Sequence, residues 1–215
     1  MYGVSTPYVA DVAETLRRLD ASVHAYVVNV ADGTPPPGLD PIVHADDLSA
    51  DAFDLGFVFP MVTPAYRQRA EHEVRERGGH NFPVIVDPTS IVASSAALDD
   101  GAQVNAGVVI GANTRLGHQS LVNRSASVGH DVELLPYATL GPACVLCGAV
   151  RVEHGAFVGA GAVLNPGVTI GANAVVGAGS VVVHDVAPNT VVAGSPAKVI
   201  REHVAGYNRS AVTWT

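Results

Sequence analysis

Charge is scarce in this chain, and basic charge most of all. Among 215 residues, 12 Lys and Arg stand against 20 Asp and Glu, a net charge of −8 with only 15% of residues charged. This balance excludes a nucleic-acid partner, because holding a phosphate backbone needs clustered Lys and Arg. Long hydrophobic runs are missing as well. No stretch nears the roughly 20 apolar residues that span a bilayer. The opening Met1-Tyr2-Gly3-Val4-Ser5 is neither a basic nor a signal-like leader. The expectation is a cytoplasmic protein with no membrane partner. Cysteine is limited to Cys144 and Cys147. Their C-x-x-C spacing suits a redox couple or half a zinc site, but no second pair exists to complete the latter. What remains is 48% hydrophobic, enough to bury a substantial core in one large or two small domains.

The hydrophobic residues are strictly ordered. Sixteen aliphatic residues stand six apart without a slip, from Val92, Leu98 and Val104 through Val128, Leu134 and Leu140 to Val176 and Val182. Neither the 3.6 period of a helix nor the 2 period of a strand demands this; a parallel β-helix of hexapeptides does, three hexads closing one coil. The residues two places earlier, such as Ala102, Val108, Ala138 and Cys144, are all small or β-branched, as suits a second inward slot. Cys144 therefore belongs to the core pattern and Cys147 to the adjoining corner. Gly follows the aliphatic residue at 111, 117, 129, 141, 159, 171 and 177, which reads as a sharp corner needing φ > 0. The coil is expected over 85–187, with parallel strands ~4.8 Å apart stacking into a prism about 25 Å tall.

Residues 1–84 read as a small α/β domain. Thr6 and Pro7 announce a helix carrying Val9, Val12, Leu16 and Leu19 on one face. A β-like stretch at 22–29 precedes the Gly33-Thr34-Pro35-Pro36-Pro37-Gly38 stop, and 55–59 is a second apolar run. Thr63 and Pro64 repeat the helix signal, Gly78-Gly79 ends it, and 82–86 makes another strand. The order β-α-β-β-α-β suggests a small parallel sheet. Residues 188–215 leave the register as an extended tail, with 201–215, including Tyr207 and Trp214, unassigned.

Eighteen residues per coil means that positions 18 apart stack in one column. His130 therefore lies beneath Gly148, an imidazole one strand spacing from an unobstructed backbone. Acyl transfer needs a base for the attacking amine or hydroxyl and an N–H donor for the oxyanion. His130 supplies the first, Gly148 the second, and Asp131 fixes the imidazole tautomer. His118 and His154, 36 apart, invite a metal reading, but a catalytic zinc usually takes three protein ligands. A trimeric β-helix carbonic anhydrase places its third His where this chain has Gly159. No metal is expected.

The segments Ser127-Val128-Gly129-His130-Asp131, Ala138-Thr139-Leu140, Cys147-Gly148-Ala149-Val150 and Gly194-Ser195-Pro196-Ala197-Lys198 resemble the sialic-acid O-acetyltransferase-like sugar acyltransferases, which include N-acetyltransferases of nucleotide-linked 4-amino-sugars. The resemblance implies a Rossmann-like N-terminal domain followed by a left-handed β-helix. It implies acetyl-CoA as donor, an amino-sugar or sugar-nucleotide acceptor, and a homotrimer with active sites between neighbouring coils. It assigns His130 as base, Asp131 as its partner and the Gly148 amide to the acetyl carbonyl. Ala160 and Ala178 fall in the CoA channel, and Thr139 where some members place a second His near the thioester. The family's glycine-rich turn falls at Gly3-Val4-Ser5-Thr6-Pro7-Tyr8, so Gly3, Ser5, Thr6 and Asn29 are the expected acceptor contacts. Here Thr6 and Tyr8 replace later glycines, Tyr8 being expected to obstruct an approaching phosphate. The acidic pair ending strand two reads Val28-Asn29, with Asp32 three residues on. The rivals to an acetyltransferase are a β-helix metalloenzyme and a non-catalytic trimeric scaffold.

Overall fold

The computed structural model describes residues 1–31 and 33–213; the Asp32 and Trp214 readings lie outside the described residues. From Ile85 onward the chain winds as a three-faced prism of two-residue rungs joined by corners. Each rung pairs in parallel with its counterpart one coil away, as Val128 does with Ile110 and Leu146. The rungs stack into three sheets of eight, six and five strands. Face one carries the rungs ending at Val104, Val122, Leu140, Val158 and Val176. Face two carries those ending at Val92, Ile110, Val128, Leu146, Leu164 and Val182, and face three those ending at Leu98, Leu116, Leu134, Val152 and Ile170. The expected aliphatic and small inward residues fill one continuous core. No chain segment other than these side chains is needed inside.

The corner glycines have a different cause from the one expected. None of Gly111, Gly117, Gly129, Gly141, Gly159, Gly171 or Gly177 has positive φ. They lie so close to the next coil that a Cβ has no room: at Gly129 it would stand 2.9 Å from the Gly148 nitrogen, and at Gly159 2.5 Å from the Ala178 nitrogen. Positive φ instead falls on every sixth residue from Gly101 to Gly179, Asn113, Asp131 and Ala149 among them. Between these two positions sits a residue whose N–H the ladder does not use. Pro136, Pro142 and Pro166 occupy it, since proline loses nothing there.

Two boundaries move. Residues 82–86 do not complete an N-terminal sheet, because Ile85–Val86 pairs with Gln103–Val104 as the first rung of the prism. The prism also continues past 187. Val191 and Val192 pair with Val175 and Val176, so the last coil is shorter than the others and its rung is lost to a strict count. Val191–Gly194 then folds back antiparallel on Ala197–Arg201, a hairpin where an extended tail was expected. The final segment bridges the prism and the N-terminal unit. Tyr207 stacks on Phe157 at 3.6 Å between centroids, Asn208 Nδ2 donates to Thr63 Oγ1 at 2.8 Å, and buried Val212 exchanges hydrogen bonds with Asn173.

In the N-terminal unit, β1 (Tyr26–Val28) and β2 (Ile42–His44) pair in parallel. Residues 1–3 lie beside β1, with Gly3 N–H bonded to Val27 O at 2.8 Å, and Tyr2 N–H reaches Val58 O at 2.9 Å. Of the 55–59 run, residues 57–59 are thus buried without forming a regular strand, while Leu55 is exposed. Helix α1 (Val9–Arg18) begins two residues after Pro7, with Thr6 Oγ1 accepting the Tyr8 N–H at 3.2 Å. Its Val12 and Leu16 pack with Ile85 and Leu121 of the prism, while Leu19 falls past its end and is exposed. Helix α2 (Pro64–Glu76) has Thr63 and Pro64 at its start as expected, and Gly78 beyond its end is in the left-handed region.

Candidate active site

His130 and Asp131 share the corner between faces two and three. The corner leaves His130 70% and Asp131 52% side-chain exposed. The imidazole Nδ1 lies 2.6 Å from Asp131 Oδ2, so Nδ1–H donates to the carboxylate and Nε2 is the nitrogen left without a described partner. Asn113, one coil below Asp131, donates Nδ2–H to Asp131 Oδ1 at 3.1 Å. The His130 and Asn113 hydrogen bonds together hold the Asp131 carboxyl below its ordinary range. Asn113 escaped the sequence reading, although subtracting 18 from 131 points straight to it.

Gly148 sits against the free edge of the ring. A Cβ there would stand 2.5 Å from His130 Nε2 and 2.6 Å from Cε1, so only glycine leaves the imidazole in place. The Gly148 N–H bonds to no other described group, whereas the next amide, Ala149, is consumed by His130 O at 2.9 Å. A base nitrogen and an unused amide therefore adjoin at one spot on the outer wall. This is the equipment of direct acyl transfer.

The other expected contacts are dispersed. Ala160 and Ala178 are exposed and stacked, but on the corner between faces one and two, so a single chain does not bring them to His130. Their own N–H groups are unused by the described residues. Thr139 is a correction. It is fully buried under the N-terminal unit, its Oγ1 accepting from Arg67 at 2.7 Å and donating to Val62 O at 3.2 Å; a thioester cannot reach it. His118 belongs to the same interface. Its Nε2 meets both oxygens of buried Glu71 at 2.8 Å, and its ring stands edge-on to Phe82 and Tyr137. These contacts tie the His118 ring into the interface with the N-terminal unit, and among the described residues no group of three His, Cys, Asp or Glu is placed to hold a metal ion. Cys144 fills its inward slot, and burial pushes its thiol up to about 11.

Gly3, Ser5, Thr6 and Asn29 do converge. They line a cavity of about 680 Å³ in the N-terminal unit, closed on the other side by Met61, Tyr66, Arg69 and Glu73 and by Tyr207 and Asn208 of the returning segment. Gly3 has φ +79°, and any Cβ would collide with the Met61 methyl. Ser5 Oγ is buried beside Gly33, with no hydrogen-bond partner among the described residues. Tyr8 does not obstruct this space. Its side chain turns into the interface with the prism, where its hydroxyl accepts from Asn105 Nδ2 at 2.6 Å and burial raises its pKa. Nothing in the local sequence of α2 or the C-terminal segment marked Glu73, Arg69, Tyr207 or Asn208, because their convergence is purely tertiary.

Known proteins resemble this chain in the same two parts. The family described as bacterial transferase hexapeptide (six repeats) matches residues 149–184. GDP-perosamine N-acetyltransferase of Escherichia coli O157:H7 is 32% identical over 95 residues, 44% of this chain and 42% of that protein, so the chain spans less than half the length of this curated relative. Among solved structures, an asparagine-for-histidine variant of perosamine N-acetyltransferase from Caulobacter crescentus, in complex with CoA and GDP-perosamine, superposes with a TM-score of 0.84. It is 33% identical, covering 94% of this chain and 95% of that one. The acetyltransferase domain of PglB from Neisseria gonorrhoeae FA1090, in complex with acetyl coenzyme A, gives 0.82 at 26% identity, with 93% and 97% covered.

Proposed function

The chain belongs to the left-handed β-helix, hexapeptide-repeat acyltransferases, and we propose that it transfers an acetyl group from acetyl-CoA to the amine of a nucleotide-linked sugar. One observation carries this reading: His130 is tied through Nδ1 to Asp131 while the Nε2 edge of its ring lies against Gly148, whose N–H bonds to no other described group. In this role His130 Nε2 takes the proton of the amine as nitrogen attacks the thioester carbonyl. The Gly148 N–H receives the charge that develops on the carbonyl oxygen. As the C–S bond breaks, His130 returns the proton to the departing sulfur. Asp131 stabilises the imidazolium between the two transfers, itself steadied by Asn113. No cysteine or serine nucleophile takes part.

Residues 1–84 are read as the Rossmann-like, acceptor-binding domain, its cavity at Gly3, Ser5, Thr6 and Asn29 receiving the nucleotide. The exposed, small-side-chain column at Ala160 and Ala178 leaves room and spare N–H groups for the amide-bearing arm of CoA. Both corners border face two, whose outward residues Ile91, Val109 and Val145 are 67%, 42% and 40% exposed. The outward residues of face three, by contrast, include Arg115, Glu133 and Arg151. An uncovered apolar sheet face marks an association surface, and a closed ring of three copies joins the His130 corner of one to the Ala160 corner of the next. The homotrimer is part of the proposal.

The test is His130→Ala in the full chain. Loss of a general base costs about 100-fold or more, so kcat/KM with acetyl-CoA and an amino-sugar nucleotide should fall at least that far at unchanged Tm. A variant retaining more than about a tenth of the rate would remove His130 from the chemistry.

A further inference from the structure

Where the family's strand-two acidic pair would stand, this chain has Val28-Asn29, yet the structure still puts a carboxylate there. Glu73 reaches across from α2, and its Oε2 accepts from Asn29 Nδ2 at 2.9 Å and from Tyr2 hydroxyl at 3.1 Å. Oε1 has no hydrogen-bond partner among the described residues. Glu73 is the one carboxylate among the described residues lining the acceptor cavity, which also includes Gly3 and Asn29.

A carboxylate in a cavity meant for a diphosphate must face a donor, since the phosphates repel it. Two parts of the acceptor are excluded or disfavoured as that donor. The reacting amine belongs at His130 on the prism corner, and no prism residue lines this cavity. The base is disfavoured by position: in a βαβ unit the diphosphate lies at the turn after the first strand and a carboxylate at the end of the next strand accepts the ribose hydroxyls. Gly3 follows the first extended segment and Asn29 follows β1, so Glu73 occupies the ribose position from a different element.

We propose that Glu73 reads the ribose of the acceptor nucleotide, Oε1 accepting from the 2′-hydroxyl, and so selects ribonucleotide-linked sugars over 2′-deoxyribonucleotide-linked ones. The inference rests on the cavity being the acceptor pocket. Calorimetric titration of the full chain with GDP, 2′-deoxy-GDP, UDP and 2′-deoxy-UDP tests it, in the wild type and in Glu73→Gln. Glutamine keeps one oxygen for Tyr2 and Asn29, and puts an amide NH₂ where Oε1 stood. Removing one charged hydrogen bond is worth about 10-fold in affinity, so the wild type should bind whichever ribonucleotide it prefers about 10-fold tighter than the deoxy form. In E73Q the ribonucleotide should weaken by a similar factor and the ratio should fall below about 3. A wild type indifferent to the 2′-hydroxyl overturns the proposal without the variant, and an unchanged ratio in E73Q overturns it while leaving the acceptor pocket standing. A change confined to the GDP-to-UDP ratio moves Glu73 to the base and also overturns it. Failure of every nucleotide to bind removes the acceptor pocket and this inference together.

Discussion

From Val104 to Val182 each aliphatic residue of the six-residue series is at most 2% exposed and sits on a rung bonded to its counterpart in the next coil. Among the described residues ahead of Ile85, only Tyr26–Val28 and Ile42–His44 form regular strands, and the rest is held by contacts that occur once. The two regions are joined by an apolar cluster of Val12, Leu16, Ile85 and Leu121 and by polar contacts that each occur once. Arg67 is fully buried and donates to the carbonyls of Met61, Val62, Gln119 and Tyr137 and to Thr139 Oγ1 at 2.7–3.1 Å, with burial lowering its pKa to about 10. Repetition distributes stability along the prism; the N-terminal unit concentrates it in a few residues.

That contrast can be broken most sharply at Arg67. Arg67→Ala leaves several buried acceptors without donors, at about 3 kcal/mol or more. Calorimetry should show the N-terminal unit melting ahead of the prism, and a single unchanged transition would show that Arg67 does not matter. On the prism side, the proposed trimer predicts a wild-type mass of three chains by light scattering, and Val145→Glu, which puts a charge in the middle of face two, should reduce it to one. A variant that stays trimeric would put the subunit contact elsewhere. Gly148→Ala sharpens the comparison at the site itself. Its methyl displaces the imidazole, so kcat should fall about 10- to 100-fold through misplacement alone, while Tm stays within a few degrees because the ladder is untouched.

The smallest effect concerns acid. Burial pushes the Glu71 carboxyl upward, but the hydrogen bonds from His118, Tyr137 and Arg75 outweigh it and hold the group below its ordinary 4.5. A depressed folded value means the interface contribution is present above pH 4.5 and is lost as pH falls below it. Urea titrations of the wild type and Glu71→Gln between neutral pH and pH 3 should show the variant losing less stability on acidification, by about 1 kcal/mol. Equal slopes would deny the linkage.

The prism was legible because its period is a property of the backbone: a hexad makes a side and three hexads a coil, so the same subtraction that stacked Gly148 over His130 would have placed Asn113 under Asp131. It failed where the count changed. The shortened final coil hid Val192 and turned a rung and a hairpin into an apparent tail. The corner glycines were correctly located but wrongly explained, because stacking distance, not φ, forbids their side chains. In the N-terminal unit the four expected acceptor contacts do line one cavity, carried by the resemblance. Tyr8 was misread because its direction depends on Leu121 and Asn105, which lie far along the chain in the prism. Thr139 was misread because the helix that covers it belongs to the N-terminal unit, long before it in sequence.

Local order alone settled the coil, its columns and the placing of an imidazole beside an unused amide, since each rung's neighbours are set by a constant offset along the chain. Packing alone settled which faces are covered, which is left apolar and open, and which carboxylate stands beside Asn29. Those outcomes depend on long-range contacts made once, by side chains that carry no periodic mark.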